Sequence, residues 1–140
     1  MSKITAIIVD DEELARELIA THVQQLPDFE IVALCASAIE ASSILKKERV
    51  DLLFLDIEMP VLKGTEFLKN LANKPKVILA DEPTGSLDKK NADEIFGLLK
   101  KQITPNRLIL FATHNRFLAN KSDCLLEMVD GRLKSINARI

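Results

Sequence analysis

The chain has 140 residues, of which 47% are hydrophobic and 29% charged, and its formal net charge is -2. This length suits one globular domain, the balance of apolar and charged residues excludes a disordered chain, and the slightly negative charge disfavours a nucleic-acid partner. No apolar run approaches the ~20 residues of a membrane-spanning helix. We therefore expect a soluble, cytoplasmic protein with neither nucleic-acid nor membrane partners.

Short apolar runs alternate along the chain with longer stretches of helical periodicity. In the first run, ITAIIVD (4–10), the apolar residues are consecutive and do not alternate with polar ones, which is typical of a strand buried on both faces. The stretch 12–26 follows it with apolar residues at helical spacing, which predicts a helix. The remaining predicted strands of this kind are 30–35, 50–56, 76–81 and 107–113, and the remaining predicted helices are 38–48, 64–73, 89–103 and a short one near 115–121.

The C-terminal segment has a different pattern. DCLLEMV and RLKSI are two extended runs separated by Asp130-Gly131, which is a hairpin signal. The first run can pair beside the fifth strand, cross elsewhere, or pair with another chain. Because an unpaired apolar edge favours association, a homodimer through the C-terminal edge strands is a further expectation.

The two cysteines, Cys35 and Cys124, lie in the apolar runs EIVALC and CLLEMV. Their spacing supports neither a disulfide nor a metal-binding pair. We expect both thiols to be buried and unreactive.

The regular alternation of strands and helices predicts a parallel sheet with helices on both faces. In such sheets, binding and catalytic residues gather at the carboxyl ends of the strands. Those ends carry polar residues here, namely Asp10-Asp11, Asp56, Asp81-Glu82 and Thr113-His114. We expect the functional site at this edge of the sheet.

Three aspartates follow the first and third predicted strands. Asp10 or Asp11 alone could be the N-cap of the helix that begins near Glu12. If the two strands are neighbours, however, Asp10, Asp11 and Asp56 converge, and their like charges repel unless a cation neutralises them. Carboxylate oxygens suit Mg²⁺, so the sequence predicts a magnesium site.

Residues 1 to about 78 resemble the first part of a response-regulator receiver domain of the LytTR type, through VDDEELAR, LDIEMPVLKG and EFLKNL. The resemblance implies a three-layer, flavodoxin-like α/β fold with strand order 2-1-3-4-5, to which the C-terminal β-hairpin is appended. It also implies that Asp56 is the phosphoacceptor. Asp10, Asp11 and the backbone carbonyl of Glu58 would join Asp56 in holding Mg²⁺, with Asp81 as a further candidate ligand.

The chain departs from the receiver pattern in its last two strands. The family ends its fourth strand with Thr or Ser, whereas Asp81 lies at or next to that position. The family ends its fifth strand with Lys, whereas Thr113 or His114 lies there. A phosphoryl group on Asp56 would lose a cationic partner and gain a carboxylate neighbour, so we expect impaired phosphorylation and retained or strengthened Mg²⁺ binding.

From about Leu79 onward, LADEPTGSLD, FATHN and DGRL resemble the final third of an ABC-transporter ATP-binding subunit of the lipoprotein-release or macrolide-export type. The resemblance implies a Walker B pair, Asp81 for Mg²⁺ and Glu82 as general base, with a D-loop over 86–88 and His114 as switch histidine. The chain contains no G-x-x-x-x-G-K-[ST] loop to cradle phosphates. We therefore expect no ATP and no nucleotide-binding residues, with Glu82 and His114 as vestigial catalytic groups.

These two resemblances suggest one hybrid domain over 1–140, with a receiver-like half (1–78) and an ABC-ATPase-like half (79–140). Natural recombination or deliberate fusion could produce it. We interpret the chain as an engineered chimeric scaffold, not an enzyme, without evolved catalytic activity and with an acidic pocket for Mg²⁺. The alternatives are a phospho-accepting receiver module at Asp56 and, less favoured, residual nucleotide binding.

Overall fold

The computed structural model describes residues 2–56, 64–69, 71, 75–81 and 89–138. Five parallel strands form one sheet in the order β2-β1-β3-β4-β5, which confirms the predicted strand order. The strands are β1 (Ile4–Val9), β2 (Phe29–Cys35), β3 (Leu52–Leu55), β4 (Val77–Asp81) and β5 (Leu108–Ala112). The helices are α1 (Glu13–Gln24), α2 (Ala38–Lys47), α3 (Gly64–Lys69), α4 (Lys89–Lys101) and α5 (Arg116–Asn120).

The centre of the sheet is the centre of the hydrophobic core. β1 lies between β2 and β3, with Ile7 paired to Leu53 and Val9 to Leu55. Ile7, Leu53 and Ile78 have no exposed surface. Because helices cover both faces of these strands, the central strand positions are apolar, and this explains the consecutive apolar residues in the sequence.

Helix α2 begins with a capping arrangement that its sequence, Ser-Ala-Ile-Glu, favours. The Ser37 hydroxyl accepts a hydrogen bond from the Glu40 amide at 3.3 Å. The Glu40 carboxylate in turn accepts one from the Ala36 amide at 3.2 Å. Two amides that the helix cannot satisfy itself are therefore satisfied by side chains, and α2 starts at a fixed position behind β2.

At the amino ends of the strands, one carboxylate joins three of them. The Asp51 carboxylate accepts hydrogen bonds from the Thr5 amide and hydroxyl at 3.1 and 3.0 Å, and the Asp51 carbonyl accepts from the amides of Lys76 and Val77. Burial raises the pKa of the Asp51 carboxyl, but the Thr5 hydrogen bonds and the Arg49 guanidinium outweigh it and hold the pKa below its usual value. Asp51 therefore stabilises the junction of β1, β3 and β4.

The edge strand β5 is less covered than the central strands, although all five of its residues are apolar. Its middle residues are half-buried, and Leu108 and Ala112 are exposed. The 13-residue helix α4 packs against it through Phe96, whose ring meets that of Phe111 edge-on at 5.7 Å between centroids. The five-residue helix α5 lies beside α4, where Lys121 Nζ is 3.0 Å from Asp93 Oδ1. Asn115 caps α5, because its side-chain oxygen accepts hydrogen bonds from the amides of Phe117 and Leu118. A short helix covers little of the strand before it.

The predicted C-terminal hairpin is present as β6 (Cys124–Val129) and β7 (Arg132–Ala138), which form a separate antiparallel sheet. Asp130 and Gly131 have φ of 51° and 74°, the left-handed conformation that a two-residue hairpin turn requires. β6 pairs with β7 and not with β5. The thiol prediction is confirmed for Cys35, which is buried, and wrong for Cys124, which is exposed because the hairpin presents it to solvent.

Within the part of the chain that the structure describes, the helices are all too short or too polar to cross a bilayer.

Candidate functional site

The candidate site lies where β1, β3 and β4 end. Val9 pairs with Leu55, and Leu55 pairs with Ala80, so the three strand ends are level. One residue further, the Asp56 amide donates a hydrogen bond to the Val9 carbonyl at 2.9 Å. The Asp10 amide donates to the carbonyl of Cys35 in β2 at 3.1 Å. These bonds continue the sheet by one residue and fix the backbone of both aspartates.

The structure brings the three predicted aspartates together. One carboxylate oxygen from each of Asp10, Asp11 and Asp56 lies within 4.8 Å of the other two. Asp10 and Asp56 are half-buried and Asp11 is exposed. Oxygens bound to one Mg²⁺ at about 2.1 Å lie roughly 3 to 4 Å apart, so small rotations would bring these three into ligand positions. The donor set and its spacing fit a divalent cation.

The alternative prediction for these residues is that Asp10 or Asp11 caps α1. The N-cap residue of α1 is Glu12, whose side chain makes no capping hydrogen bond. Asp10 Oδ1 instead accepts a hydrogen bond from the Glu12 amide at 2.9 Å, within the turn before the helix. Asp10 therefore orders the approach to α1 and keeps its second carboxylate oxygen for the pocket.

Arg16 is a residue near the site to which the sequence analysis gave no role. Its Nη1 donates a hydrogen bond to the Asp10 carbonyl at 2.7 Å. The bond connects the second turn of α1 to the acidic loop and places a cation beside it. The sequence indicates this contact only weakly, through a basic side chain six residues after Asp10 on the helix that follows the loop.

The Arg16 charge also acts on Cys35, at the end of β2. Burial and the Glu40 carboxylate raise the pKa of the Cys35 thiol to about 11, because the opposing effect of the Arg16 charge is smaller than theirs. Cys35 is therefore protonated at neutral pH. It belongs to the core beneath the site and is not a nucleophile within it.

A cleft of about 280 Å³ opens beside the aspartates. Four acidic residues line it, namely Asp10, Glu12, Asp56 and Asp81, and apolar side chains form the rest of its wall. Asp81 therefore lines the same cleft as Asp56, although its carboxylate is not part of the cluster of Asp10, Asp11 and Asp56. The apolar residues of the wall are Val9, Ala15, Leu18, Ile19, Phe54, Leu55 and Leu79.

Asp81 ends β4 and pairs with Ala112, the last residue of β5. Thr113 follows, and its hydroxyl accepts a hydrogen bond from the Asn115 amide at 3.0 Å. His114 is exposed. The end of β5 therefore carries Thr113 and His114 and no lysine, as the sequence predicts. Glu58 and Glu82 lie outside the described residues, so their predicted roles remain predictions.

A family model described as "Response regulator receiver domain" matches residues 6–112. The chain belongs to this family. The match includes Asp10, Asp11 and Asp56, the residues that the structure brings together. The receiver resemblance is thereby confirmed as to family, whereas the LytTR subtype remains a prediction.

Curated relatives include both families named in the sequence analysis. An uncharacterized response regulatory protein of Shewanella oneidensis is 38% identical over 107 residues, 75% of this chain and 45% of that protein. The lipoprotein-releasing system ATP-binding protein LolD of Ehrlichia ruminantium is 40% identical over 105 residues, 71% of this chain and 44% of that protein. The chain thus matches less than half the length of each of these curated relatives.

Solved structures agree with the receiver fold. The response regulator domain of Thermotoga maritima CheB superposes with a TM-score of 0.61 at 23% identity, over 79% of this chain and 78% of that one. The response regulatory domain of mrkE from Klebsiella pneumoniae gives 0.54 at 26% identity, over 81% of this chain and 88% of that one. The first shows the fold alone, and the second adds a modest sequence relationship.

Proposed function

We propose that this chain is a receiver module that accepts a phosphoryl group on Asp56 beside a divalent cation held by Asp10, Asp11 and Asp56. The observation that supports the proposal most is the approach of these three carboxylates to within 4.8 Å, at the level ends of β1 and β3. Three carboxylates at this separation repel one another, so a cation is the natural fourth member of the cluster.

In the proposed reaction, a carboxylate oxygen of Asp56 attacks the phosphorus of a small donor such as acetyl phosphate. The new bond joins that oxygen to phosphorus, the phosphorus–oxygen bond to acetate breaks, and acetate leaves with the electron pair. The backbone of Asp56 is held by its hydrogen bond to Val9, so the nucleophile is positioned before the donor binds. The bound cation would neutralise charge on the phosphoryl oxygens.

Two features of this chain slow the reaction relative to a typical receiver. Asp81 places a carboxylate in the same cleft as Asp56. Repulsion between the two carboxylates opposes further negative charge on Asp56, and solvent screening reduces it at this exposed position. The end of β5 offers no lysine to offset it. We therefore expect modification of Asp56 to be slow.

The test is incubation with acetyl phosphate and Mg²⁺ followed by intact-mass measurement. We expect the mass of one phosphoryl group to be added, and Asp56→Asn to prevent the addition. Peptide mapping locates the group. An unmodified wild-type mass after prolonged incubation, with the folded state verified by circular dichroism, would refute the function.

A second candidate is the engineered chimeric scaffold without evolved catalysis. The match to LolD is consistent with mixed ancestry, and this proposal places the division of a single hybrid domain near residues 78 and 79. In this proposal Glu82 and His114 are vestigial, the chain is not an enzyme, and neither ATP nor another nucleotide binds. The receiver family match favours the phosphoacceptor function over this candidate.

The scaffold proposal is tested separately with ATP and Mg²⁺. A chain without a nucleotide site should show the same melting temperature with and without ATP, and it should release no phosphate. A rise in melting temperature that depends on ATP and survives Asp56→Asn would contradict it. Phosphorylation of Asp56 by acetyl phosphate would show retained receiver chemistry whatever the ancestry.

A further inference from the structure

Arg16 closes a ring of hydrogen bonds that joins helix α1 to the loop of the acidic site. Its Nη1 donates to the Asp10 carbonyl at 2.7 Å. Its own amide donates to the Glu12 carbonyl at 3.1 Å, and the Glu12 amide donates to Asp10 Oδ1 at 2.9 Å. Because the ring includes both the carbonyl and the carboxylate of Asp10, it restrains the backbone and the side chain of this residue together.

The contact from Arg16 also orients Asp11. The Asp10 carbonyl and the Asp11 amide belong to one planar peptide unit, so a hydrogen bond that fixes the carbonyl also fixes the direction in which the chain enters Asp11. On the other side of the Asp10 α-carbon, the Asp10 amide donates to the Cys35 carbonyl at 3.1 Å. Asp10 is thus held between β2 and α1, and Arg16 holds the side that continues to Asp11.

The bond from Arg16 uses a backbone carbonyl and leaves the neighbouring carboxylates available. In the part of the chain that the structure describes, the ion pairs involve other cations, namely Arg49, Lys76, Lys121 and Lys134. A guanidinium paired with Asp10 or Asp11 would occupy oxygens that an ion needs as ligands. From the carbonyl, Arg16 arranges these two aspartates without competing with the ion.

We propose that Arg16 is a positioning residue, which holds Asp10 and Asp11 in the geometry that binds a divalent cation. The inference rests on the proposed function, because this cation is the one that would assist phosphorylation of Asp56. Groups that orient metal ligands without touching the metal typically contribute about 10- to 100-fold to affinity. Without Arg16, the ion would itself have to order the loop, and that cost would weaken its binding.

The charge of Arg16 acts in the opposite direction. A cation beside the cluster repels a second cation, so charge alone predicts tighter binding when Arg16 is neutralised. Arg16 is half-buried, and for such a solvent-screened group the effect is at most about fivefold. The loss of positioning is larger, at about tenfold or more, and should therefore dominate. The two explanations predict changes of opposite sign.

Isothermal titration with Mg²⁺ measures this sign. Arg16→Met keeps the aliphatic stem but removes the charge and the hydrogen bond, and it should bind Mg²⁺ about tenfold more weakly than the wild type. Arg16→Lys should recover most of the affinity, because a single hydrogen bond to a carbonyl does not need the guanidinium fork. Lys47→Met is the matched control: it removes a positive charge from the exposed end of α2 and should bind as the wild type does.

Hydrogen exchange supplies a readout that needs no metal. The Glu12 amide donates to Asp10 Oδ1, so its exchange rate in EDTA reports whether the loop is ordered before an ion arrives. We expect this amide to exchange several-fold faster in Arg16→Met than in the wild type, with Arg16→Lys close to the wild type. Equal exchange rates in Arg16→Met and the wild type would contradict the positioning role.

Phosphorylation of Asp56 by acetyl phosphate distinguishes positioning of the ion ligands from a general structural role. In Arg16→Met, the Mg²⁺ concentration that gives half of the maximal rate should rise about tenfold. The rate at saturating Mg²⁺ should stay close to the wild-type value, because Arg16 acts through the ion ligands and not on the donor. A lower maximal rate with an unchanged half-saturating concentration would contradict the proposal.

The titration also separates this inference from the proposed function. Equal or tighter Mg²⁺ binding by Arg16→Met, with a wild type that binds, would overturn the positioning role and leave the proposed function standing. A wild type that does not bind Mg²⁺ would overturn both. If circular dichroism shows that Arg16→Met does not fold, Arg16→Gln takes its place. Its shorter side chain ends before the carbonyl, so it should show the same loss of affinity.

Discussion

Asp56 and Asp81 face one cleft from neighbouring strands, because Leu55 and Ala80, the residues before them, are paired in the sheet. One aspartate is the proposed phosphoacceptor, and the other is predicted from the receiver resemblance to lie at or next to the position of the family's Thr or Ser. The proposed rate of phosphorylation of Asp56 therefore depends on how strongly the Asp81 carboxylate repels negative charge on Asp56.

Asp81→Thr should accelerate phosphorylation of Asp56 by acetyl phosphate about tenfold or more. The substitution removes the repulsion and supplies a hydroxyl, and each 1.4 kcal/mol recovered in the transition state is a factor of ten in rate. The time course of the intact-mass increase measures it. Asp28→Thr, which removes the same charge from an exposed loop at the amino edge of the sheet, is the control and should leave the rate unchanged.

Mg²⁺ or Mn²⁺ should stabilise the fold through Asp10, Asp11 and Asp56. At ten times the dissociation constant, the gain in free energy of unfolding is about 1.4 kcal/mol, a rise of roughly 3–5 °C in the melting temperature. Asp11→Asn should remove most of this rise, and Asp28→Asn should preserve it. An equal rise in the wild type and Asp11→Asn would place the ion elsewhere.

Asp51 should make stability depend on pH. Its folded-state pKa is lowered, so its contribution is fully present above the unfolded-state pKa near 4 and is lost as pH falls toward the folded value. Asp51→Asn should lower the free energy of unfolding by about 1–3 kcal/mol at neutral pH and flatten its decline below pH 4. Urea denaturation at several pH values checks both, and an unchanged acid slope would contradict this role.

The two thiols should differ in reactivity. Cys124 is exposed, whereas Cys35 is buried and has a pKa of about 11. A thiol reagent at neutral pH should therefore modify Cys124 alone in the native chain and both residues in denaturant. Cys124→Ser should make the native chain unreactive. Rapid reaction of that variant would show that the end of β2 opens in the native state.

Much of the fold could be predicted from local pattern. The central strands must be apolar on both faces, and the Asp-Gly turn needs left-handed backbone, so both leave clear signals in the sequence. The acidic site was predictable as well, because parallel strands bring their carboxyl ends to one edge.

Contacts between distant segments were not predictable. Arg16 reaches the Asp10 backbone, and Asp51 joins three strands, but each looks like an ordinary surface charge in the sequence. Cys124 lies in an apolar run that is typical of burial, yet it is exposed because the hairpin forms a sheet of its own. Tertiary arrangement, and not local preference, decides these three cases.

The register of β4 against β3 limits how this site can change. Because side chains alternate between the faces of a strand, sliding β4 by a single residue would turn Ile78 out of the core and withdraw Asp81 from its position beside Asp56. Such a shift would therefore remove the carboxylate from the cleft only by exposing an isoleucine that is completely buried. Only a substitution at position 81 itself can remove this carboxylate without moving Ile78 out of the core.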